Sequence, residues 1–197
     1  MHKKICIIYT ETTGLHQSNN ISKKELFKFA RMVTLNYEIG YLKGNEFIIE
    51  NKVRSIVKPR CMYIPKETEQ YHGITMEIAM EQGTNPDVLL RQFKEAIKNI
   101  DVIVSHNIDF HIKTILTEAI RYNIQLDFTK YIIIDTINFF HNYSDNCFIK
   151  LRDLATKLKF KDIPESSENN VEIIRDVFLK LYKKFEKSVN SEKELTV

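Results

Sequence analysis

Near the amino terminus four apolar residues stand in succession, Ile5, Cys6, Ile7 and Ile8, inside the segment Lys4–Tyr9. The run is too short for a helix of useful length. It also lacks the apolar/polar alternation of a strand with one wet face. Read as a strand, it is buried on both faces and needs layers of chain above and below its sheet. The rest of the sequence has to supply that cover.

The pattern downstream does so. A polar loop follows (Thr12-Thr13-Gly14, then residues 17–20), and residues 32–41 and 46–57 read as two further strands. Lys43-Gly44-Asn45 between them is a hairpin turn, and Pro59 ends the third strand. The chain then turns helical. Pro86-Asp87 opens a helix running to about Asn99, with Val88, Leu89, Phe93, Ala96 and Ile97 on one face. Residues 101–105 form a short buried strand. Residues 109–122 form an amphipathic helix, with Ile112, Ile115, Leu116, Ala119 and Ile120 turned inward. Residues 131–134 are a fifth strand, and helices near 149–158 and 168–186 complete the pattern. The last helix carries the stripe Ile173, Ile174, Val177, Phe178, Leu181 and Phe185. Asp109 is expected to cap the helix it opens, and Asp135 the helix after the fifth strand. A three-strand meander followed by alternating helices and strands predicts an α/β domain: a mixed five-stranded sheet of three meander strands plus two more, flanked by helices. This order fits the ribonuclease-H-like architecture. One domain over residues 1–187 is expected, with residues 188–197 a disordered tail.

Composition narrows the function classes only modestly. With 43% hydrophobic residues there is material for a core, and the 197 residues suit one domain. A net charge of +3 permits nucleic-acid contact without demanding it. Cys6, Cys61 and Cys147 are far apart and form no C-x-x-C pair, so neither a disulfide framework nor a cysteine zinc site is indicated. No segment approaches the ~20 apolar residues of a membrane span, and the opening run is too short for a secretory signal. An intracellular setting, cytoplasmic or nuclear, follows as the expectation.

Four segments carry a family resemblance. They are Ile7 to Leu15 (strand, then Tyr9-Thr10-Glu11-Thr12-Thr13-Gly14-Leu15); Ile64-Pro65 through Tyr71-His72-Gly73-Ile74-Thr75; Val102 to His111, containing His106-Asn107-Ile108-Asp109-Phe110-His111; and Ile134-Asp135-Thr136 with Lys150-Leu151, Leu154 and the stretch from Glu165 to Leu181. In this order and at these spacings they resemble the DnaQ-like (DEDD) 3′–5′ exonucleases. The resemblance implies hydrolysis of a terminal phosphodiester by two divalent metals about 4 Å apart, held by clustered carboxylates.

The carboxylates are where this chain departs. The first motif's Asp position is Tyr9, a phenol with a pKa ordinarily about 10 and a poor Mg²⁺ ligand. Glu11 is kept. The second Asp position aligns with His111, and the final His and Asp positions with Glu165 and Asn170. Asp109 stands two residues before His111, about 200° around a helix, and so is no replacement. The surrounding Thr13, Gly14, Leu15, His106, Asn107 and Phe110 match the family. With His72 they are the candidate nucleic-acid contacts, although His106 and Asn107 also suit bracing of the strand-to-helix turn, and His72 a turn completed by Gly73. Tyr9 fills volume vacated by metal and water, or else stacks on a base.

Three functions are consistent with this. The first is a catalytically inactive exonuclease-like domain that binds a single-stranded DNA or RNA end, or serves as a structural subunit of a replication or processing complex, with no cofactor. The second is an active exonuclease with a remodelled centre, in which Glu11, His111, Glu165 and Asn170 hold Mg²⁺, Mn²⁺ or Zn²⁺. The third is a protein-interaction scaffold.

Overall fold

The computed structural model describes residues 3–60, 62–141, 148–164 and 166–194. Its centre is one five-stranded sheet in the order β3-β2-β1-β4-β5. The strands are β1 (Lys4–Tyr9), β2 (Thr34–Lys43), β3 (Glu46–Ile56), β4 (Val102–Ser105) and β5 (Ile132–Asp135). β1 pairs antiparallel with β2 and β2 with β3, while β1–β4 and β4–β5 are parallel. The mixed sheet expected from the sequence is thus present. β1 is buried on both sides as its composition requires. Cys6 and Ile8 pack with Leu35, Tyr37 and Ile103 under α3 (Pro86–Ala96) and α4 (Ile108–Arg121). Ile5 and Ile7 pack with Val102 and Val104 under α6 (Leu151–Lys157) and α7 (Asn170–Glu194).

Two short helices, α1 (Lys66–His72) and α2 (Met76–Gln82), cover a separate small core of Val33, Ile64, Ile74 and Ala79. α5 (Thr136–His141) follows β5 directly. The hairpin closes through Gly44-Asn45, with Gly44 at φ 56°, a value glycine adopts without Cβ strain. The β2–β3 register shifts between Ile39 and Gly40. A Cβ on Gly40 would lie 2.1 Å from the Ile48 carbonyl oxygen. Gly40→Ala is therefore expected to cost about 1–3 kcal/mol by overpacking. Chemical denaturation should show this as a lower midpoint at unchanged m.

Three sequence expectations shift. Val88 is 41% exposed while Leu90 is fully buried, because the inward seam of α3 runs through Leu89, Leu90, Phe93 and Ile97. The cap of α4 is Asn107, in the left-handed region at φ 59°, and not Asp109, which ion-pairs outward with Lys113 at 2.5 Å. α7 continues to Glu194, past the boundary expected at residue 187, since Glu186, Lys187, Glu192 and Lys193 sustain helix propensity there. Residues 195–197, Cys61, Cys147 and Glu165 lie outside the described residues. Cys6 is a free buried thiol, and burial pushes its pKa up. Among the described residues no helix is long and apolar enough to cross a membrane.

Candidate functional site

The strand order reverses at β1 and β4, and a cleft opens beyond their carboxyl ends, where open α/β sheets commonly place ligands. It has a volume of about 480 Å³ and is lined by Tyr9, Glu11, Gly14, Leu15, His72, His106, Asn107, Phe110 and His111, among others. The sequence-predicted residues therefore converge, with three qualifications. Asn170 is not among the lining residues, and its Oδ1 accepts from Arg152. Thr13 stands off the cleft: its N–H donates to the Arg31 carbonyl at 2.9 Å and its Oγ1 accepts from the Arg31 N–H at 2.9 Å. Glu165 lies outside the described residues.

The loop after β1 is held in place by backbone. Val33 N–H donates to the Glu11 carbonyl, and Glu11 N–H donates to Thr34 Oγ1. Gly14 takes φ 149°, which side chains rarely adopt, and Thr12 Oγ1 donates to its carbonyl at 2.6 Å. The β4–α4 junction is fastened by Asp135. Its carboxylate accepts from the N–H groups of Asn107 and Ile108 at the start of α4, and from Ile137 N–H at the start of α5. The expected capping role of Asp135 is thus present, and it serves two helices.

His106 and His111 spend their rings on the fold. His106 Nε2 donates to the Ile149 carbonyl at 2.7 Å and Nδ1 accepts from Thr136 Oγ1 at 2.7 Å. His111 Nδ1 accepts from Thr10 N–H at 3.1 Å, and Nε2 donates to the His106 carbonyl at 3.2 Å. Burial pushes the His111 imidazole down to about 3, so it is neutral with both nitrogens committed. Phe110 stacks on His16, a contact the sequence did not suggest, with ring centroids 4.5 Å apart.

The other substituted positions share one polar neighbourhood. Arg152, on α6, donates to Asn170 Oδ1 at 3.2 Å and to the carbonyls of Pro164 and Ser166. Asn170 and Glu11 both act on the titration of the Tyr9 phenol, and Tyr9, Ser167 and Arg152 on that of Glu11, while the Ser167 hydroxyl donates to the His72 carbonyl at 3.5 Å. Burial raises the Glu11 carboxyl to about 7, although the Tyr9 and Ser167 hydroxyls and the Arg152 charge oppose the rise. Burial likewise pushes the Tyr9 phenol up, so it stays protonated. The Tyr9 ring lies 4.7 Å from that of His111.

Among the described residues this donor set does not fit a pair of divalent cations. Among the described residues the cleft carries one carboxylate, Glu11, whose charged form burial disfavours, the His111 imidazole has no free lone pair, and the Arg152 guanidinium acts on Glu11 from nearby. No three His, Cys, Asp or Glu side chains there could jointly hold an ion.

The cleft's outer wall adds residues that sequence reading did not single out as contacts: Thr68 and Tyr71 from α1, and Phe148, Lys150 and Leu151 before and at the start of α6. Leu15, Tyr71 and Phe148 are 82%, 83% and 68% exposed, an apolar rim of the kind that marks a contact surface. Within the cleft His72 is 7% exposed. Its Nδ1 accepts from Ile74 N–H at 3.1 Å, and its buried Nε2 has no hydrogen-bond partner among the described residues. A buried donor left in that state costs about 1–3 kcal/mol unless a ligand supplies an acceptor.

A model of the RNase T exonuclease family matches residues 7–165. Structures of exonuclease I superpose closely. That of the E. coli enzyme with a dT13 oligonucleotide gives a TM-score of 0.72 at 12% identity, covering 96% of this chain and 43% of that one. A structure of SSB/exonuclease I with the inhibitor CFAM gives 0.71 at 13% identity, covering 93% and 42%. Exonuclease I from Methylocaldum szegediense gives 0.70 at 14% identity, covering 92% and 40%. The fold is thus ribonuclease-H-like, and the chain spans less than half the length of these proteins. No curated protein matches it in sequence.

Proposed function

Because the chain belongs to the DnaQ-like exonuclease family of RNase T type, we propose that it is a pseudo-exonuclease: the family's cleft persists as a site for a single-stranded DNA or RNA end, without hydrolysis. The observation that carries this is the set Tyr9, His111 and Asn170, in which both His111 nitrogens are committed and Asn170 Oδ1 accepts from Arg152, leaving Glu11 the one carboxylate lining the cleft among the described residues. This set occupies the positions where the family resemblance calls for carboxylate-bound metals. The mouth of the cleft suits a flexible strand, since exposed Tyr71 and Phe148 offer faces on which bases stack whatever their sequence. The likeness to an exonuclease I solved with dT13 supports a single-stranded ligand. Such a domain serves as a binding or structural subunit in DNA or RNA metabolism, within a replication or processing complex.

The test is incubation of the purified chain with end-labelled single-stranded DNA and RNA in Mg²⁺, Mn²⁺ or Zn²⁺, with a Glu11→Ala control and native gels run in parallel. A shifted band without shortening of the label is expected. Shortening that Glu11→Ala abolishes would establish a rebuilt metal centre and overturn the proposal. With neither, the cleft has lost its nucleic acid and the domain is a protein scaffold.

A further inference from the structure

The sheet ends in two unlike edges. β3 carries Glu46, Glu50, Lys52 and Arg54, with Glu50 ion-paired to Lys4 and both Lys52 and Arg54 to Glu172. Such charges keep an edge strand from pairing with another chain. β5 is unguarded. It reads Ile132-Ile133-Ile134-Asp135, and Ile132 and Ile133, on opposite faces of the sheet, are 50% and 40% exposed. Ile132 N–H donates inward to the Asp101 carbonyl at 2.9 Å. In a parallel ladder the backbone groups of successive residues point alternately to the two sides. The N–H and C=O of Ile133 are therefore turned outward, and among the described residues no strand pairs with them.

A basic hollow abuts the start of this edge. It has a volume of about 620 Å³ and lies between the end of α3 and the segment leading into β5, at the opposite end of the strands from the cleft. Ile97, Leu126 and Tyr131 line it together with Lys94, Lys98 and Lys130. Tyr131 donates its hydroxyl to the Ile97 carbonyl at 2.8 Å, and the Lys130 ammonium stands 4.9 Å from the Tyr131 ring centre. The two acids at the hollow are engaged locally. Glu95 lies 3.9 Å from Lys98, and Asp127 Oδ1 accepts from the N–H and hydroxyl of Thr129. Among the described residues Lys94 and Lys130 have no ion-pair partner, so three ammoniums share one hollow with little to offset their repulsion. We propose that the β5 edge is a docking site for an extended acidic segment of a partner protein. The segment adds as a sixth strand on the Ile133 backbone, covers Ile132 and Ile133, and sets carboxylates against Lys94, Lys98 and Lys130. Backbone pairing alone accepts any strand, and the lysines select the sign of its charge. A second copy of this chain answers them less well: antiparallel pairing about Ile133 puts Thr136, not an acid, opposite Lys130. The site is independent of the cleft and of any nucleic acid held there.

Random peptides displayed on phage are selected against the full chain, and those recovered are resynthesised with a fluorophore. They are expected to join a run of β-branched residues to several Asp or Glu. Their affinity is then measured by anisotropy for wild type, Ile133→Pro and the double reversal Lys98→Glu with Lys130→Glu. Proline at 133 removes an N–H that points away from β4 and leaves the β4–β5 bonds in place, as edge strands allow. Binding should weaken about tenfold or more in each variant, with denaturant midpoints showing that both remain folded. Salt should weaken wild-type binding and have less effect on the reversal. Amide exchange gives a readout that needs no variant: on peptide binding the Ile133 N–H should become protected, while those of Ile132 and Ile134, already facing β4, change little. No peptide recovered, peptides without acidic residues, affinity indifferent to the charge reversal, or an unprotected Ile133 N–H would each overturn the proposal. So would a chain that sediments as a dimer and turns monomeric in Ile133→Pro, since the edge would then belong to a second copy.

Discussion

Replacing Glu118 by alanine is expected to cost about 3–5 kcal/mol, enough to bring a domain of ordinary stability close to unfolding. The Glu118 side chain is 1% exposed and lies between two guanidiniums: Oε1 accepts from Arg31 Nε at 2.7 Å and from Arg121 Nη1 at 3.1 Å. The same oxygen accepts from Met32 N–H at 3.2 Å. Truncation leaves two half-buried cations and a backbone donor without their shared acceptor, which is the costly way to break a buried ion pair. Arg31→Ala should cost less, about 1–3 kcal/mol, because Glu118 then keeps Arg121 and Met32. The effect reaches the cleft. Arg121 also donates to the carbonyls of Leu26 and Phe29, so the triad clamps residues 26–32 onto α4. Val33 and Thr34, next in the chain, hold Glu11 by its backbone. Oligonucleotide binding by Glu118→Ala should therefore weaken even under conditions where the domain remains folded. Denaturant titrations of the two variants decide the matter. A loss below about 1 kcal/mol for Glu118→Ala would show that the triad is effectively solvated.

Most of the architecture is legible from local pattern. Ile5 and Ile7 face one helical layer and Cys6 and Ile8 the other, which is what an uninterrupted apolar run demands. The stripe Ile173, Ile174, Val177, Phe178 and Leu181 is buried as its spacing requires. α1 and α2 escape notice because each spans seven residues, fewer than two helical turns need to reveal a face; the local signal for α2 is Thr75, whose side chain accepts from Ile78 N–H. At the site, motif spacing brings Tyr9, Glu11, His111 and Asn170 to one place. Spacing is silent on what each atom does there. That His111 has no lone pair to offer follows from Thr10 N–H and the His106 carbonyl, groups whose approach is a tertiary fact. Arg152 enters from α6, whose motif positions Lys150, Leu151 and Leu154 drew attention for their apolar content and family match, not for the cation between them.

Glu11→Gln is expected to change the pH dependence of stability in a way that exposes His111. Burial lifts the Glu11 carboxyl from 4.5 to about 7. Through that interval the native state holds a proton that the unfolded chain has released, so this group lowers stability as pH rises, and the full penalty is present above about 7. Its size is about 2–3 kcal/mol once the cleft's partial access to solvent is allowed for. His111 acts in the opposite sense. Burial takes its imidazole from 6.5 to about 3, so between those values the unfolded chain binds the extra proton and stability rises with pH. In the shared window, from 4.5 to 6.5, the two slopes oppose one another and largely cancel in the wild type. Glutamine is nearly isosteric with glutamate and does not ionise, so it removes one slope and leaves the other. The advantage of Glu11→Gln over wild type should grow by about 2–3 kcal/mol between about pH 4 and about pH 8. Its own stability should fall on acidification through the shared window faster than that of the wild type. The imidazoles of His16, His72 and His106, lowered chiefly by burial as well, steepen the acid limb of both proteins equally and drop out of the difference. Denaturant midpoints of the pair at several pH values give that difference directly. If it were flat, Glu11 would ionise alike in the folded and unfolded chain, and its carboxylate would stand in water, free to act as a metal ligand.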